Sequence, residues 1–550
     1  MTRASLEAER GSVQRSGADP PTRPSALALV GILALAAVIL TVPAGRRIFW
    51  SSDESRFALL AQNILDHGRW LVPELRGQLY LNKPQLQFWA IALVSLPAGR
   101  VTELTAAIPA IVSALAAVAG VAAIATLLWG RRAGLMAGLI LATVPPLFAF
   151  GHVALPDMML GSWMVWSLYW FLRAQRSGWV AGPLAGFYAC VGLAVASKGP
   201  PGYAALAGGL VAVVGTEGAR GLARLRPAFG LLILALCAIP WIVPYHLESR
   251  GEFASTVLVD HYMTWYFRGG LLDRLSGTGS ALANFFPWVI FLAAAPWWWR
   301  RAPDPGRRAV GLWTLTVWVW LGFSGTLRAR YLLPVYPLLA LLTAEFVARG
   351  GERGGGRPLR AAAAVFCASA IGVAVALIVP PPWVFGAEDA ALFPEAPWER
   401  ALMIVTLVLG GAVTYGLARR GAFDAMVVAV AVTLGAILIL MGVMYPARYR
   451  RDNDVRPLTD AAAAFAAPGA AVIAHPGARL SYDVYLRRPL VEVKPVEATL
   501  AMLARSPGQV LITSRERWLG LAPRAGPSWR VLAAHTVAGR EMVVVGSSRP

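Results

Sequence analysis

The sequence predicts a polytopic α-helical membrane protein that ends in a small α/β domain. Of its 550 residues, 57% are hydrophobic and only 15% are charged, and the mean hydropathy is +0.57. Soluble globular domains carry about 25% charged residues, so this composition excludes an ordinary soluble globule. Apolar runs of about 18 or more residues recur through the chain, and each is long enough to cross a hydrocarbon core of about 30 Å as a helix.

The apolar runs predict about thirteen membrane spans. They lie at 26–46, 103–129, 134–151, 156–173, 179–197, 199–216, 227–246, 282–299, 308–325, 331–348, 360–381, 399–418 and 423–445. The segment 86–97 is too short for a span, so it is predicted to lie at the interface or to re-enter the membrane. Residues 1–25 are polar and predicted to be disordered, and the run after them is typical of an uncleaved signal anchor.

Arginines determine the predicted orientation. They collect in alternate connections, for example at 131–132, 300–308 and 349–360. The positive-inside rule makes that side, and the N-terminus with it, cytoplasmic. The first loop, 47–102, and the residues after 445 then face the extracytoplasmic side. The same rule explains the net charge of +20, and the sequence lacks the basic soluble face with interleaved aromatic residues that would indicate nucleic-acid binding.

Residues 446–550 have a different pattern, which predicts an α/β domain on the extracytoplasmic side. AAVIAH, QVLIT and EMVVVG predict strands, and TDAAAAFAA and ATLAMLAR predict helices between them. No glycine-rich phosphate loop follows a strand, so nucleotide binding is not indicated. Cys190, Cys237 and Cys367 lie within apolar runs and predict neither a disulfide framework nor a metal motif.

Ionisable residues gather on the predicted extracytoplasmic face. The polar stretch from Ser51 to Pro84 contains Asp53, Glu54 and Arg56 near its start and Lys83 near its end. Between them, Phe57, Leu60, Ile64 and Leu65 have the spacing of a short amphipathic helix. Further candidates on the same face are Asp157, Lys198, Asp260, His261, Tyr262, Arg268, Arg328, Arg330 and Tyr331. Ionisable groups at membrane depth are costly unless they pair or take part in function, so their joint placement predicts a site.

Each of these residues also has a purely structural interpretation. Asp53 and Glu54 are consistent with a solvated helix start, where the helix dipole favours acidic side chains. Lys83 and Arg330 are consistent with interfacial cations that extend toward the headgroups. Lys198, before Gly-Pro-Pro, is consistent with a simple helix end. Their shared location on one face favours the functional interpretation.

The residue types indicate chemistry at a lipid-linked phosphate. Carboxylates act as general bases or stabilise positive charge developing at a sugar carbon. Arginine binds phosphate oxygens with a planar fork and lysine with a point charge. Membrane helices provide a groove for a lipid tail. Together these features predict a transferase that uses a lipid-linked phosphate donor at the outer face.

The stretches SDESRFALLAQNIL and VPELRGQLYLNKPQLQFW resemble the first-loop signature of bacterial GT-C glycosyltransferases. This superfamily includes protein O-mannosyltransferases and the lipid A aminoarabinose transferase. LPDMML, SKGP and RYLLPVYPLLALL follow in the family's order, so the resemblance covers about residues 26–445. It implies a GT-C-like fold in the bacterial inner membrane, with a periplasmic active site. It also implies a sugar donor linked to undecaprenyl phosphate and inverting substitution at the anomeric carbon.

The resemblance implies roles for individual residues. Asp53 matches the essential first-loop aspartate and Asp157 the second acidic residue, with Glu54 as a further catalytic candidate. The candidates for binding the lipid phosphate are Lys83, Arg268, Arg330, Tyr331 and Arg56, and the candidates for contacting substrate are His261, Tyr262 and Lys198. Asn82 stands where the aminoarabinose branch tends to have a Glu that can join a His in binding a divalent metal. This departure argues against a metal site, and no metal ligand is predicted.

Three alternatives stay open beside a lipid A-like acceptor. Within the class, the acceptor is a protein Ser or Thr, or another envelope glycan. In the protein-modifying branch Asp53 would accept the acceptor's proton, whereas an ionised lipid A phosphate needs no base and Asp53 would orient or stabilise. Outside the class is a lipid or solute transporter, although no internal repeat is seen and the polar groups gather at one face. A purely structural scaffold would leave the acidic first loop unexplained.

Overall fold

The computed structural model describes most of the chain. The described residues are 26–49, 51–250, 270–300, 304–323, 328–350, 354–379, 394–467, 470, 472–474, 480–486, 490–493, 495–505 and 508–547.

Helices dominate the described residues before the C-terminal sheet. They are α1 (Ala26–Thr41), α2 (Ser52–His67), α3 (Leu86–Ser95), α4 (Glu103–Trp129), α5 (Arg131–Ala142), α6 (Pro145–Phe150), α7 (Asp157–Arg176), α8 (Ala181–Lys198), α9 (Tyr203–Glu217), α10 (Pro227–Glu248), α11 (Leu271–Asn284), α12 (Trp288–Trp299), α13 (Pro305–Gly322), α14 (Val335–Gly350), α15 (Gly356–Ile378), α16 (Pro397–Arg419) and α17 (Phe423–Asn453). Short 3-10 turns cover Leu96–Ala98, Pro200–Gly202, Ala219–Leu225 and Ala329–Leu332.

Each predicted span coincides with one helix or with two consecutive ones. The run at 134–151 is divided into α5 and α6 because Pro145 and Pro146 follow Val144, and a residue before proline disfavours the helical conformation. Five helices in the described part of the chain, α4, α10, α15, α16 and α17, are long and apolar enough to cross a membrane by themselves. The chain is therefore a mainly helical membrane protein, while the number of thirteen spans stays a prediction.

The first loop folds into two helices joined by a short hairpin. Ser51 caps α2 by accepting a hydrogen bond from the Glu54 amide at 3.2 Å, and Gly68, in the left-handed conformation, ends the helix. Phe57 of α2 stacks on Phe88 of α3, with ring centroids 5.6 Å apart. Strands β1 (Glu74–Leu75) and β2 (Gln78–Leu79) form the antiparallel hairpin between these helices. The predicted amphipathic helix in this loop is thus confirmed.

Small residues allow close helix contacts. Gly230 of α10 faces the ring of Tyr188 of α8, and Gly208 of α9 faces the indole of Trp313 of α13. The Tyr188 hydroxyl donates a hydrogen bond to the Leu225 carbonyl at 2.8 Å. In a bilayer, close packing and hydrogen bonds between helices replace the hydrophobic driving force that acts in water.

The residues after Asn453 form a five-stranded mixed sheet with helices on both faces. The elements are α18 (Arg456–Phe465), β3 (Val472–Ala474), α19 (Ser481–Leu486), β4 (Leu490–Glu492), α20 (Val496–Arg505), β5 (Val510–Ser514), α21 (Arg515–Ala525), β6 (Trp529–Val537) and β7 (Arg540–Ser547). The strand order is β4-β3-β5-β7-β6, with β3 parallel to β4 and β5 and with β7 antiparallel to its neighbours. The three predicted strands are present as β3, β5 and β7. Two further strands, β6 and the three-residue β4, were not predicted from the sequence.

Gly230→Ala should destabilise the protein, because the added methyl group would lie inside the van der Waals envelope of the Tyr188 ring. Overpacking of this kind costs about 1–3 kcal/mol. We expect a lower midpoint of thermal unfolding in detergent. Gly372→Ala is the matched control, since a methyl group there meets no atom within 4 Å. Equal midpoints for the two variants would contradict the close α8–α10 contact.

Candidate active site

Asp53 lies in the first turn of α2 and is surrounded by three arginines, here called the arginine triad: Arg56, Arg328 and Arg330. Arg56 donates to Asp53 Oδ1 at 2.8 Å, and Arg328 and Arg330 donate to Oδ2 at 3.0 and 2.6 Å. Burial alone would raise the pKa of Asp53, but the hydrogen bond from Arg330 and the charges of the triad lower it. The carboxylate is therefore ionised at neutral pH, and both of its oxygens are occupied.

A second ion pair adjoins the first through an aromatic ring. Asp157, the first residue of α7, pairs with Lys198, the last residue of α8, and both side chains are at most 10% exposed. The Lys198 ammonium lies 4.0 Å from the centroid of the Tyr331 ring, and the Arg330 guanidinium lies 5.5 Å from it. Cations over an aromatic face are attracted to its quadrupole. Tyr331 therefore links the Asp157 pair to the arginine triad.

Lys83 lies in the segment that leads into α3. Its backbone carbonyl accepts a hydrogen bond from the Tyr245 hydroxyl of α10 at 2.8 Å. Burial lowers the pKa of Lys83 to about 7, and repulsion by Lys198 adds to this, although Asp157 and Asp53 act in the opposite direction. The electrostatic influence of these residues places Lys83 in the same cluster.

These residues form what we call the site cluster: Asp53, the arginine triad, Lys83, Asp157, Lys198 and Tyr331. The cluster combines five cationic side chains with two carboxylates. They come from separate helix ends and connecting segments, as the shared face predicted. An excess of positive charge in a partly buried cluster is unfavourable by itself and suits an anion with several oxygens.

Glu54 does not belong to the site cluster, although the sequence made it a catalytic candidate. Its side chain is fully buried and accepts from both terminal nitrogens of Arg47, one at 2.8 Å, and from the Ala154 amide at 2.9 Å. Arg47 also donates to the His152 carbonyl at 3.0 Å. Because Glu54 is enclosed in this way, its role is to join the first loop to the segment before Asp157.

Two residues that support the site, Arg47 and Tyr245, were not predicted from the sequence. Arg47 was visible only as half of an Arg-Arg pair on the predicted extracytoplasmic side, where the positive-inside rule does not place arginines. Tyr245 was hidden at the end of the apolar run that forms α10. Neither residue has a local pattern that predicts its partner in three dimensions.

Four residues that the sequence makes candidates, Asp260, His261, Tyr262 and Arg268, lie outside the described residues. Among the residues that the structure does describe, no group of three or more His, Cys, Asp or Glu side chains is placed to hold a metal ion. Cys190, Cys237 and Cys367 are free thiols.

The chain is similar in sequence to known mannosyltransferases and arabinosyl transferases. The family model for dolichyl-phosphate-mannose-protein mannosyltransferases matches residues 82–243. An undecaprenyl phosphate-α-4-amino-4-deoxy-L-arabinose arabinosyl transferase from Pectobacterium carotovorum is 25% identical over 338 residues, which are 58% of each chain. One from Sodalis glossinidius is 26% identical over 463 residues, which are 77% of each chain. The alignment thus spans less than two thirds of the first relative's length.

The solved structure of ArnT from Cupriavidus metallidurans bound to undecaprenyl phosphate superimposes with a TM-score of 0.77. The match covers 94% of this chain and 99% of ArnT at 23% identity. The chain has the fold of ArnT. The resemblance predicted from the sequence is therefore confirmed at the level of the fold.

The neighbouring acids Asp53 and Glu54 should respond differently to removal of their charge. Glu54→Gln leaves Arg47 without its carboxylate in a buried position, which costs about 3–5 kcal/mol. Asp53→Asn weakens ion pairs that are more exposed to solvent, so it should lower the free energy of unfolding by about 1 kcal/mol. Thermal unfolding of the purified variants in detergent would test whether Glu54→Gln destabilises the protein more than Asp53→Asn does. A loss of only about 1 kcal/mol for Glu54→Gln would contradict the structural role of Glu54.

Proposed function

We propose that this protein is a glycosyltransferase that moves a sugar from undecaprenyl phosphate to a lipid A-like glycolipid. The observation that carries the proposal is the site cluster, with its excess of positive charge at one end of a helical membrane fold. The similarity to aminoarabinose transferases supports the choice of donor, and it favours 4-amino-4-deoxy-L-arabinose as the sugar. The reaction needs no nucleotide, which agrees with the absence of a nucleotide-binding motif in the sequence.

The proposed architecture follows the sequence. Residues 1–25 form a cytoplasmic N-terminus, 26–445 a transmembrane catalytic domain, and 446–550 a second domain. The first loop, 47–102, and the C-terminal domain face the periplasm of a cell with an inner membrane. The distribution of arginines supports this orientation.

Lys83, Arg56, Arg330 and Tyr331 are the proposed contacts of the donor phosphate, with Arg268 as a further candidate. In the reaction, the bond between the anomeric carbon and the phosphate oxygen breaks, and a bond from that carbon to an acceptor oxygen forms with inversion. The phosphate leaves with the electron pair, so negative charge on its oxygens increases in the transition state. Cations already fixed around the phosphate stabilise this increase without reorganising.

Asp53 is proposed to orient these cations and to stabilise positive charge at the sugar, with Asp157 doing the same from α7. Both oxygens of Asp53 accept from the arginine triad, and its pKa is lowered. A carboxylate in this state is a poor general base. An acceptor phosphate of a lipid A-like molecule is already ionised and needs none, so the geometry favours this acceptor.

A protein Ser or Thr acceptor is the second candidate, because the matching family model is that of protein mannosyltransferases. A hydroxyl acceptor must lose a proton, and Asp53 would have to exchange at least one arginine contact to receive it. A transporter is the candidate outside the enzyme class. It would bind a polyprenyl phosphate at the same cations without breaking a bond.

Radiolabelled undecaprenyl phosphate sugars, carrying aminoarabinose or mannose, would test the proposal with purified protein and an envelope extract. We expect label in a lipid A-like fraction. Lys83→Ala and Asp53→Asn should each lower the rate by about 100-fold, since each loses electrostatic stabilisation of the transition state. Arg515→Ala, at a half-exposed ion pair in the C-terminal domain, is the control.

The destination of the label separates the candidates. Label in protein would select the protein acceptor. A folded wild-type protein that binds the lipid but transfers no sugar would contradict the enzyme and favour a transporter. A Lys83→Ala variant with the wild-type rate would overturn the assigned phosphate contact.

Donor binding should weaken as the pH rises above 7. The pKa of Lys83 is about 7 in the free protein, and a bound phosphate anion would raise it. Binding therefore takes up a proton between the two pKa values, and affinity should fall by up to about tenfold per pH unit in that range. Affinity below pH 7 should be almost constant. Equilibrium binding of the donor between pH 6 and 9 would measure this slope.

Lys83→Arg is the matched control, because arginine keeps its charge throughout this range. The difference between the two slopes isolates Lys83 from any titration of the sugar's own amine. Equal slopes for wild type and Lys83→Arg would contradict contact between Lys83 and the phosphate.

A further inference from the structure

The hairpin in the first loop has an unusual residue at its tip. Strands β1 and β2 are joined by Arg76 and Gly77, and both residues have positive φ, +53° and +76°. Two left-handed residues in a two-residue loop form the turn type that favours Asn-Gly. Arginine in this conformation costs about 1–2 kcal/mol because its Cβ approaches the carbonyl oxygen. A compensating interaction is therefore expected at Arg76.

That interaction is with the C-terminal domain. Arg76 binds Asp483 of α19 with two nitrogens, at 3.1 and 2.6 Å, and Glu492 of β4 at 3.1 Å. The Asp483 side chain is only 5% exposed. Paired, nearly parallel contacts between a guanidinium and a carboxylate give orientation as well as energy. We call these contacts the Arg76 ion pair.

A second contact reinforces the attachment. The Tyr485 hydroxyl, also from α19, accepts from the Phe49 amide at 3.2 Å and donates to Glu103 at 2.8 Å. Its ring packs on the apolar core of the first loop. The C-terminal domain thus contacts the first loop at the hairpin tip and beside the start of α4.

The hairpin is connected at its base to the site cluster. Its first strand is fixed to α2, where Asn63 Oδ1 accepts from the Glu74 amide at 3.0 Å. Tyr80 follows the second strand, and its hydroxyl interacts with Arg56 of the arginine triad. Lys83 comes three residues later. A shift of the hairpin would therefore move both Lys83 and Arg56, which donates a hydrogen bond to Asp53.

We propose that Arg76 is a positioning residue, through which the C-terminal domain holds the first loop in the geometry that the site cluster requires. The proposal rests on the proposed function for its catalytic consequence, but the attachment itself is independent of it. The C-terminal domain is then a structural part of the active site. A local shift of about 1 Å in such a site is enough to lower a rate by up to 100-fold.

Arg76→Asn provides a sharp test. It removes the ion pair but introduces the residue that this turn prefers, so the hairpin itself should be kept. Asp483→Asn removes the charge from the other side with little change in volume. Arg524→Ala is the matched control, since Arg524 binds Glu497 with two 2.7 Å contacts within the same domain but away from the loop.

Hydrogen exchange of the full-length protein in lipid nanodiscs is the first measurement. We expect residues 70–85 to exchange at least tenfold faster in Arg76→Asn and in Asp483→Asn, with no change in Arg524→Ala. Exchange in the helices outside the first loop should stay close to that of wild type. Unchanged exchange in this segment would overturn the proposal, whether or not the protein transfers sugar.

Sugar transfer is the second measurement. Each single variant should lower kcat/KM about tenfold. The double variant should lower it about tenfold as well, because both changes break one interaction. A hundredfold loss in the double variant, or wild-type transfer despite faster exchange, would overturn the positioning role. If wild type itself transfers no sugar, the proposed function fails. The affinity of each variant for undecaprenyl phosphate is then measured in place of kcat/KM, and the same pattern of losses tests the role of Arg76.

Discussion

The carboxylate of Asp53 is the point on which the site depends, because it holds the arginine triad together across the chain. Two of its three ligands come from a segment 275 or more residues later. Without this carboxylate, three guanidinium groups would repel one another in a partly buried space. Glu54, the next residue, points along a different face of the same helix and binds Arg47. The two adjacent acids in the first turn of α2 thus make contacts with different parts of the chain. Asp53 binds Arg328 and Arg330, and Glu54 binds Arg47.

Two polar networks, one at each end of the helix bundle, differ in how their charges are balanced. At the end away from the site, Asp304 and Glu345 are matched by Arg307 and Arg349, and the remaining carboxylate positions accept from tryptophan indoles. Every carboxylate oxygen of Asp304 and Glu345 accepts a hydrogen bond, as is usual for buried polar networks in stable proteins. The site cluster has more cations than carboxylates. Stability alone does not explain this excess, whereas an anionic ligand does.

Patterns with a short range in sequence predicted most of the fold. The apolar runs located the helices, and the period of Phe57 and its neighbours located α2. The positive-inside rule brought Asp53, Lys83 and Arg330 to one face before any contact was known. It did not separate Asp53 from Glu54, because neighbouring helical residues point about 100° apart and only the packing decides which of them is enclosed. The partner of Arg76 could not be predicted either, since Arg76 pairs with a residue 407 positions later.

The pre-existing pairs also determine what an incoming phosphate must do in the proposed reaction. Its oxygens would compete with the carboxylates of Asp53 and Asp157 for cations that have already lost much of their water. Binding then exchanges one set of partners for another and avoids most of the cost of stripping hydrated charges. In this way the ion pairs of the site cluster hold its cations ready for the donor phosphate of the proposed reaction.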